Sequence, residues 1–216
     1  VWRDRDEPAL RTLLERARAL GFTGVLIGNL GHLPLVRGLN FHLYGDYGLN
    51  VFNSRSLAYL KDKELESACV SFELRFAQIR DLKKVLRAEA IVYGRLPLMI
   101  TENCLVQNET GCRLNRQGPC VPEDGPCRCG QPNVLVDRTG AAFPLLPAYG
   151  HRTEIQNSKP LYLADRPEHR RLGLAYARLR FTTETAEECV SVVQNYLDAA
   201  PAAGDFTRGL YERGVE

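Results

Sequence analysis

The 216-residue chain has no apolar run long enough to span a bilayer, and no charged-then-apolar leader opens it. No membrane partner is therefore expected. Charge of one sign is also lacking: 28 Lys and Arg against 26 Asp and Glu leave +2. So small a bias does not by itself imply nucleic acid or a lipid surface. No Ser-His-Asp arrangement and no HExxH helix is recognisable, which removes the usual sequence support for a peptidase. Cysteine is nearly absent outside one stretch, where only Cys69 and Cys189 stand alone, in runs that read as core strand and core helix.

What remains is an ordinary globular composition, 44% hydrophobic and 25% charged, enough to bury a core of one large domain. A cytoplasmic location is expected, and thiols stay reduced there. The other five of the seven cysteines lie in "TENCLVQNETGCRLNRQGPCVPEDGPCRCG", residues 101–130: Cys104, Cys112, Cys120, Cys127 and Cys129. Disulfides need an oxidising compartment that nothing indicates, and a nucleophile needs only one thiol with a base. A Gly-, Pro- and Asn-rich loop suits several thiolates wrapped around one point, so metal is the reading. The spacing matches neither a common zinc finger nor a ferredoxin run, so zinc and iron–sulfur both stay open.

Helical spacing of Leu10, Leu13, Leu14, Ala17 and Leu20, ended by Gly21, predicts an opening helix. Strands are predicted at 24–29, 42–50, 68–74 and 90–99. Helices fall between them, one starting at a Ser54 cap and one in "RFAQIRDLKKVL". This alternation predicts parallel βα units. Ligands then sit beyond the carboxyl ends of the strands, the end from which the cysteine segment grows. Further on come two β runs around "DRTG", a strand and short helix in "PLYLADRPEHRRLGLAY", a strand at 177–183 and a helix capped by Thr185; the tail shows no periodicity. A helix that begins at once and feeds an apolar strand suggests the C-terminal part of a longer protein.

The segments "YGRLPLMITENC" (93–104), "LVDRTGAAFPL" (135–145), "EIQNSKPLYLADR" (154–166) and "TRGLYERGVE" (207–216) resemble the peptidase U32 family, the collagenase-like proteins. "GDYGLNVFNS" (45–54) and "FELRFAQIRDL" (72–82) are similar to its barrel segments. The resemblance implies an α/β fold: the C-terminal half of a TIM-like (β/α) barrel, with a cysteine-rich insertion and a small β-rich extension. Residues 1–100 would be barrel units, 101–166 the cysteine loop and extension, and 167–216 the final α/β segment and tail. Characterised members of the family are oxygen-independent hydroxylases of tRNA uridine, of 23S rRNA cytidine or of a ring in ubiquinone biosynthesis. They carry a [4Fe-4S] cluster and take oxygen from prephenate. The resemblance thus shifts preference from zinc to iron–sulfur and names RNA and prephenate as expected partners. A peptidase, after the family's name, and a non-catalytic metal-stabilised binding module are the alternatives.

Carried over by position, Cys104, Cys112 and Cys129 match three family ligands. The fourth, a cysteine in the family, is His151 in "GHRTEIQNS". Either the imidazole completes the site, as in Rieske-type centres, or Cys120 or Cys127 supplies the thiolate. Glu73, at a strand end, is a candidate general base or a helix cap. Arg95 is a candidate carboxylate clamp or an ion-pair partner of Glu73. Asn50 and Asn53 read as turn formers, and His32 and His42 as packed histidines. "RPEHRRLG" with Arg178 and Arg180 reads as a solvated basic face, with RNA contact as its functional alternative.

Overall fold

The computed structural model describes residues 4–110, 131–149 and 151–214; Cys112, Cys120, Cys127 and Cys129 lie outside them. The described residues form two sheets. In the first, β1 (Gly24–Ile27), β2 (His42–Gly45), β3 (Leu65–Cys69), β4 (Arg87–Gly94) and β10 (Tyr176–Leu179) pair in parallel in that order. The short β9 (Leu161–Tyr162) pairs antiparallel at the carboxyl end of β4. In the second, β5 (Pro97–Thr101), β8 (Arg152–Gln156), β7 (Ala142–Ala148) and β6 (Asn133–Val136) form an antiparallel sheet in that order. The parallel sheet is open: β1 and β10 are its edges among the described residues.

Local chemistry explains where elements begin. The helix α3 (Ser54–Asp62) is capped by Asn53, whose Oδ1 accepts from the amides of Arg55 and Ser56, both at 3.0 Å. Ser54, the expected cap, instead accepts from the Lys83 amide at 2.8 Å. Glu64 then takes a left-handed φ of +65°, which ends the helix and starts β3 at Leu65. The strand read at 68–74 thus begins earlier and stops at Cys69. At the other end of the chain, Thr185 and Glu188 form a capping box for α6 (Ala186–Asp198), as the sequence predicts.

The largest departure lies in 90–99, which is two strands in two sheets. Gly94 breaks the run with φ +115°, and a Cβ there would stand 2.0 Å from the Arg180 carbonyl oxygen. Only glycine fits that approach. The chain turns at Arg95 and leaves the parallel sheet as β5.

The core gathers around β4: Ala88, Ala90, Ile91 and Val92 belong to one buried cluster with Leu57 and Leu60 of α3 and Ile79 of α4 (Phe76–Asp81). Each such leucine contributes roughly 1.5–3 kcal/mol by leaving water. The tail without periodicity supplies one more core member. Tyr211 is 1% exposed and donates to the Ile91 carbonyl at 2.5 Å. A cluster of Tyr93, Tyr162, Tyr196 and Phe181 seats α6, with Tyr196 donating to the Val92 carbonyl and accepting from the Leu163 amide. Cys189, expected in the core, is only half-buried on α6, and His42 is exposed and paired with Glu66. The opening helix α1 (Glu7–Ala19) forms as predicted, yet none of its residues is fully buried and Leu13 is 61% exposed.

Candidate functional site

Two polar constellations flank the antiparallel sheet, and β8 runs between them. The first lies across the parallel strands, from just past the end of β2 to the third residues of β4 and β10. Arg178 of β10 places Nη1 2.5 Å from Oδ1 of Asp46, just past β2, and pairs through Nη2 with Glu89 of β4. All three side chains are about four-fifths buried. Cys69 is the register partner of Glu89 and is fully buried. Burial pushes its thiol up to about 12, so it is a packed thiol and not a nucleophile at neutral pH. Burial also raises the Glu89 carboxyl, against the opposing pull of Arg178.

Two residues on from Arg178 and just past the end of β10, Arg180 joins the sheets. Its Nη2 lies 2.8 Å from Oε1 of Glu154, and its Nη1 donates to the Gln156 Oε1 at 2.7 Å and to the Arg95 carbonyl at 2.8 Å. The guanidinium carbon sits 5.7 Å from the Tyr47 ring centroid. Two arginines therefore face three carboxylates, Asp46, Glu89 and Glu154. Arg178 and Arg180 do not belong to a solvated basic face. Sequence reading passed over Asp46, Glu89 and Glu154. The signal was present as Glu89 inside "AEAIV" and the alternating arginines of "ARLRF": buried strands of a parallel sheet read as apolar, and charge there marks a pairing.

Arg95 and Glu73 also stand on this side. Arg95 donates through Nη1 to the carbonyls of Asn157 (3.0 Å) and Ser158, so it holds the chain leaving β8 and does not pair with Glu73. Glu73 is half-buried in the loop after β3, its amide donating to Ser71 Oγ at 3.3 Å.

The second constellation lies at the far end of β5, a five-residue strand of about 17 Å that starts two residues after Arg95. The pairing Thr101↔Thr153 sets the residues after β5 beside those before β8. Cys104 follows β5, and His151 precedes β8 in the turn from β7, at a left-handed φ of +60°. Sequence places them 47 residues apart; the register brings them to one end of one sheet. Thr153 fixes Cys104 from both sides, donating to the Asn103 carbonyl (3.3 Å) and accepting from the Leu105 amide (3.0 Å). The Cys104 sulfur accepts from the Gln107 amide at 3.4 Å, as cap of α5 (Leu105–Thr110). The chain leaves toward Cys112 from α5 and returns at Gln131, beside the start of β6, at this same end. Among the described residues no group of three or more His, Cys, Asp or Glu is arranged to hold a metal ion. The half-buried Cys104 and His151 are the described members of the expected donor set.

A family model, peptidase family U32, matches residues 1–134. The match takes in β1 to β5, Glu73, Arg95 and all five clustered cysteines, and it stops before His151. No curated protein and no solved structure matches the chain. With more than half its length covered, from the first parallel strand through the whole cysteine segment, the chain belongs to peptidase family U32.

Proposed function

We propose that the protein is an iron–sulfur-dependent, oxygen-independent hydroxylase of RNA or of a related ring substrate, built on part of a (β/α) barrel. The observation that carries the reading is that the β5–β8 register sets Cys104 and His151 at the same end of the antiparallel sheet, the end at which the chain returns at Gln131. Soft thiolates with one imidazole suit iron–sulfur and would also accept zinc. Cys104, Cys112 and Cys129 would hold the cluster with His151 as fourth ligand, Cys120 and Cys127 being the reserve thiolates. When bound, a [4Fe-4S] cluster would supply the iron chemistry that activates an oxygen donor.

The chain's own residues would do the positioning. Arg95 has Nη1 committed to two carbonyls, which fixes its plane. The opposite edge of the guanidinium would clamp a carboxylate of the donor, prephenate by family resemblance. Glu73, half-buried in the loop after β3, would hold or accept a proton. Arg180 ties β8, and with it the ligand-bearing sheet, to the strand ends.

The test is anaerobic incubation of the reconstituted protein with total RNA and prephenate, followed by mass spectrometry of the nucleosides. The proposal expects a pyrimidine nucleoside that gains one oxygen atom only when both protein and prephenate are present. An unchanged nucleoside profile alongside cleavage of a collagen-type peptide would favour the peptidase reading.

A further inference from the structure

Strand β8 holds three of the few buried polar side chains: Arg152 at 5% exposed, Thr153 at 3% and Gln156 at 0%. Gln156 serves Arg180. Arg152 and Thr153 stand at the other end, beside Cys104 and His151. Arg152 meets Glu102 as a fork, Nε to Oε1 at 3.0 Å and Nη2 to Oε2 at 3.5 Å. The register Thr101↔Thr153 places Glu102 directly opposite Arg152.

As a device for stability this pair is poor. The arginine is buried while its carboxylate is 58% exposed, so desolvation of the cation is offset by a partner weakened by water. An apolar side chain would fill the same space at less cost. Its position suggests another use. Glu102 is two residues before Cys104, and Arg152 directly follows His151. Nη1 of Arg152 also takes the Tyr149 carbonyl at 3.2 Å, closing the β7–β8 turn around His151 with its left-handed backbone. The segments on either side of Cys104 and on either side of His151 are thus held by the same cross-strand bonds.

We propose that Arg152 and Glu102 are a positioning pair for the metal centre, setting where the Cys104 thiolate and the His151 imidazole meet. The inference rests on the reading of those two residues as ligands. It adds an electrostatic role, because the buried cation is bonded to residues two before Cys104 and two before His151 while its counter-charge is largely solvated. A cation near a cluster favours the more negative, reduced state. Removing Arg152 therefore lowers the potential, and removing the Glu102 charge raises it.

The experiment uses the full chain, reconstituted anaerobically with iron and sulfide, as wild type, Glu102→Gln and Arg152→Met. Two readouts are taken: the rate at which an iron chelator bleaches the visible absorption, and the midpoint potential. Both variants are expected to release iron about tenfold faster, with potentials displaced in opposite directions. Unchanged rates and potentials would overturn the proposal, as would displacements of the same sign, which are what loosened packing alone produces. Should Arg152→Met fail to fold, Glu102→Gln decides, since its carboxylate is mostly in solvent: faster release with a raised potential supports the pair, and wild-type values overturn it. A wild-type chain that takes up no iron and sulfide overturns the ligand reading itself, a result distinct from loaded protein with indifferent variants.

Discussion

Arg180, just past the last parallel strand, lies 2.8 Å from Glu154 on the antiparallel sheet, and that pair locks the two sheets together. Its side chains are 18% and 15% exposed, so neither charge is well solvated alone. Arg180→Met leaves Glu154 buried without its cation and deprives the Gln156 side chain and the Arg95 carbonyl of a donor. The expected cost is roughly 3 kcal/mol, read as a fall of about 6–12 °C in the thermal midpoint. Arg180→Met combined with Glu154→Gln should recover part of it. A loss under about 0.5 kcal/mol would mean that the sheets are held elsewhere.

Gly94 offers a sharper test of the corner at Arg95. With φ +115° and the Arg180 carbonyl 2.0 Å from a would-be Cβ, Gly94→Ala forces β4 and β10 apart. The expected loss is about 4 kcal/mol or more, measured by denaturant unfolding or seen as failure to accumulate soluble protein. A near-neutral alanine would show that β10 does not cross β4 in this register.

His169 sets a pH dependence with a definite sign. It is 6% exposed, its Nδ1 bonds the Arg166 carbonyl, and burial lowers its pKa below 6.5. The unfolded chain therefore takes up the proton first as pH falls, so stability drops from about pH 6.5 downward until the folded pKa is reached. His169→Gln should flatten that slope. Thermal midpoints between pH 7 and 5 that fall equally in both proteins would contradict the assignment.

The fourth ligand is separable from the spare thiols. His151→Ala is expected to lower iron content sharply, while Cys120→Ala and Cys127→Ala keep it. Full iron in His151→Ala with loss in either cysteine variant reverses the assignment. Iron content per chain is the measurement.

Much of this arrangement was legible beforehand, for physical reasons. Period-two and period-3.6 patterns carried the parallel strands, the "DRTG" hairpin and the Thr185 cap, because burial and capping act within a few residues. The break at Gly94 was not legible: a glycine between two apolar runs looks like one strand until Arg180, eighty-six residues later, is seen beside it. The pairing of Asp46 and Glu89 with Arg178 was missed for the same reason, since it depends on strand order and not on spacing. Tyr211 entered the core from a tail with no period, because a single anchor leaves none. Cys104 and His151 were nominated through family resemblance; their placement at one end of the antiparallel sheet follows from the β5–β8 register, which no local pattern encodes.

The central claim is that the cysteine end of the antiparallel sheet holds iron and sulfide. Anaerobic purification of the full chain, with metal and acid-labile sulfide analysis and a visible spectrum, tests it most directly. The account predicts a brown protein with iron and sulfide in equal amounts and a broad band near the blue end of the visible range. A colourless protein carrying zinc and no sulfide would contradict it.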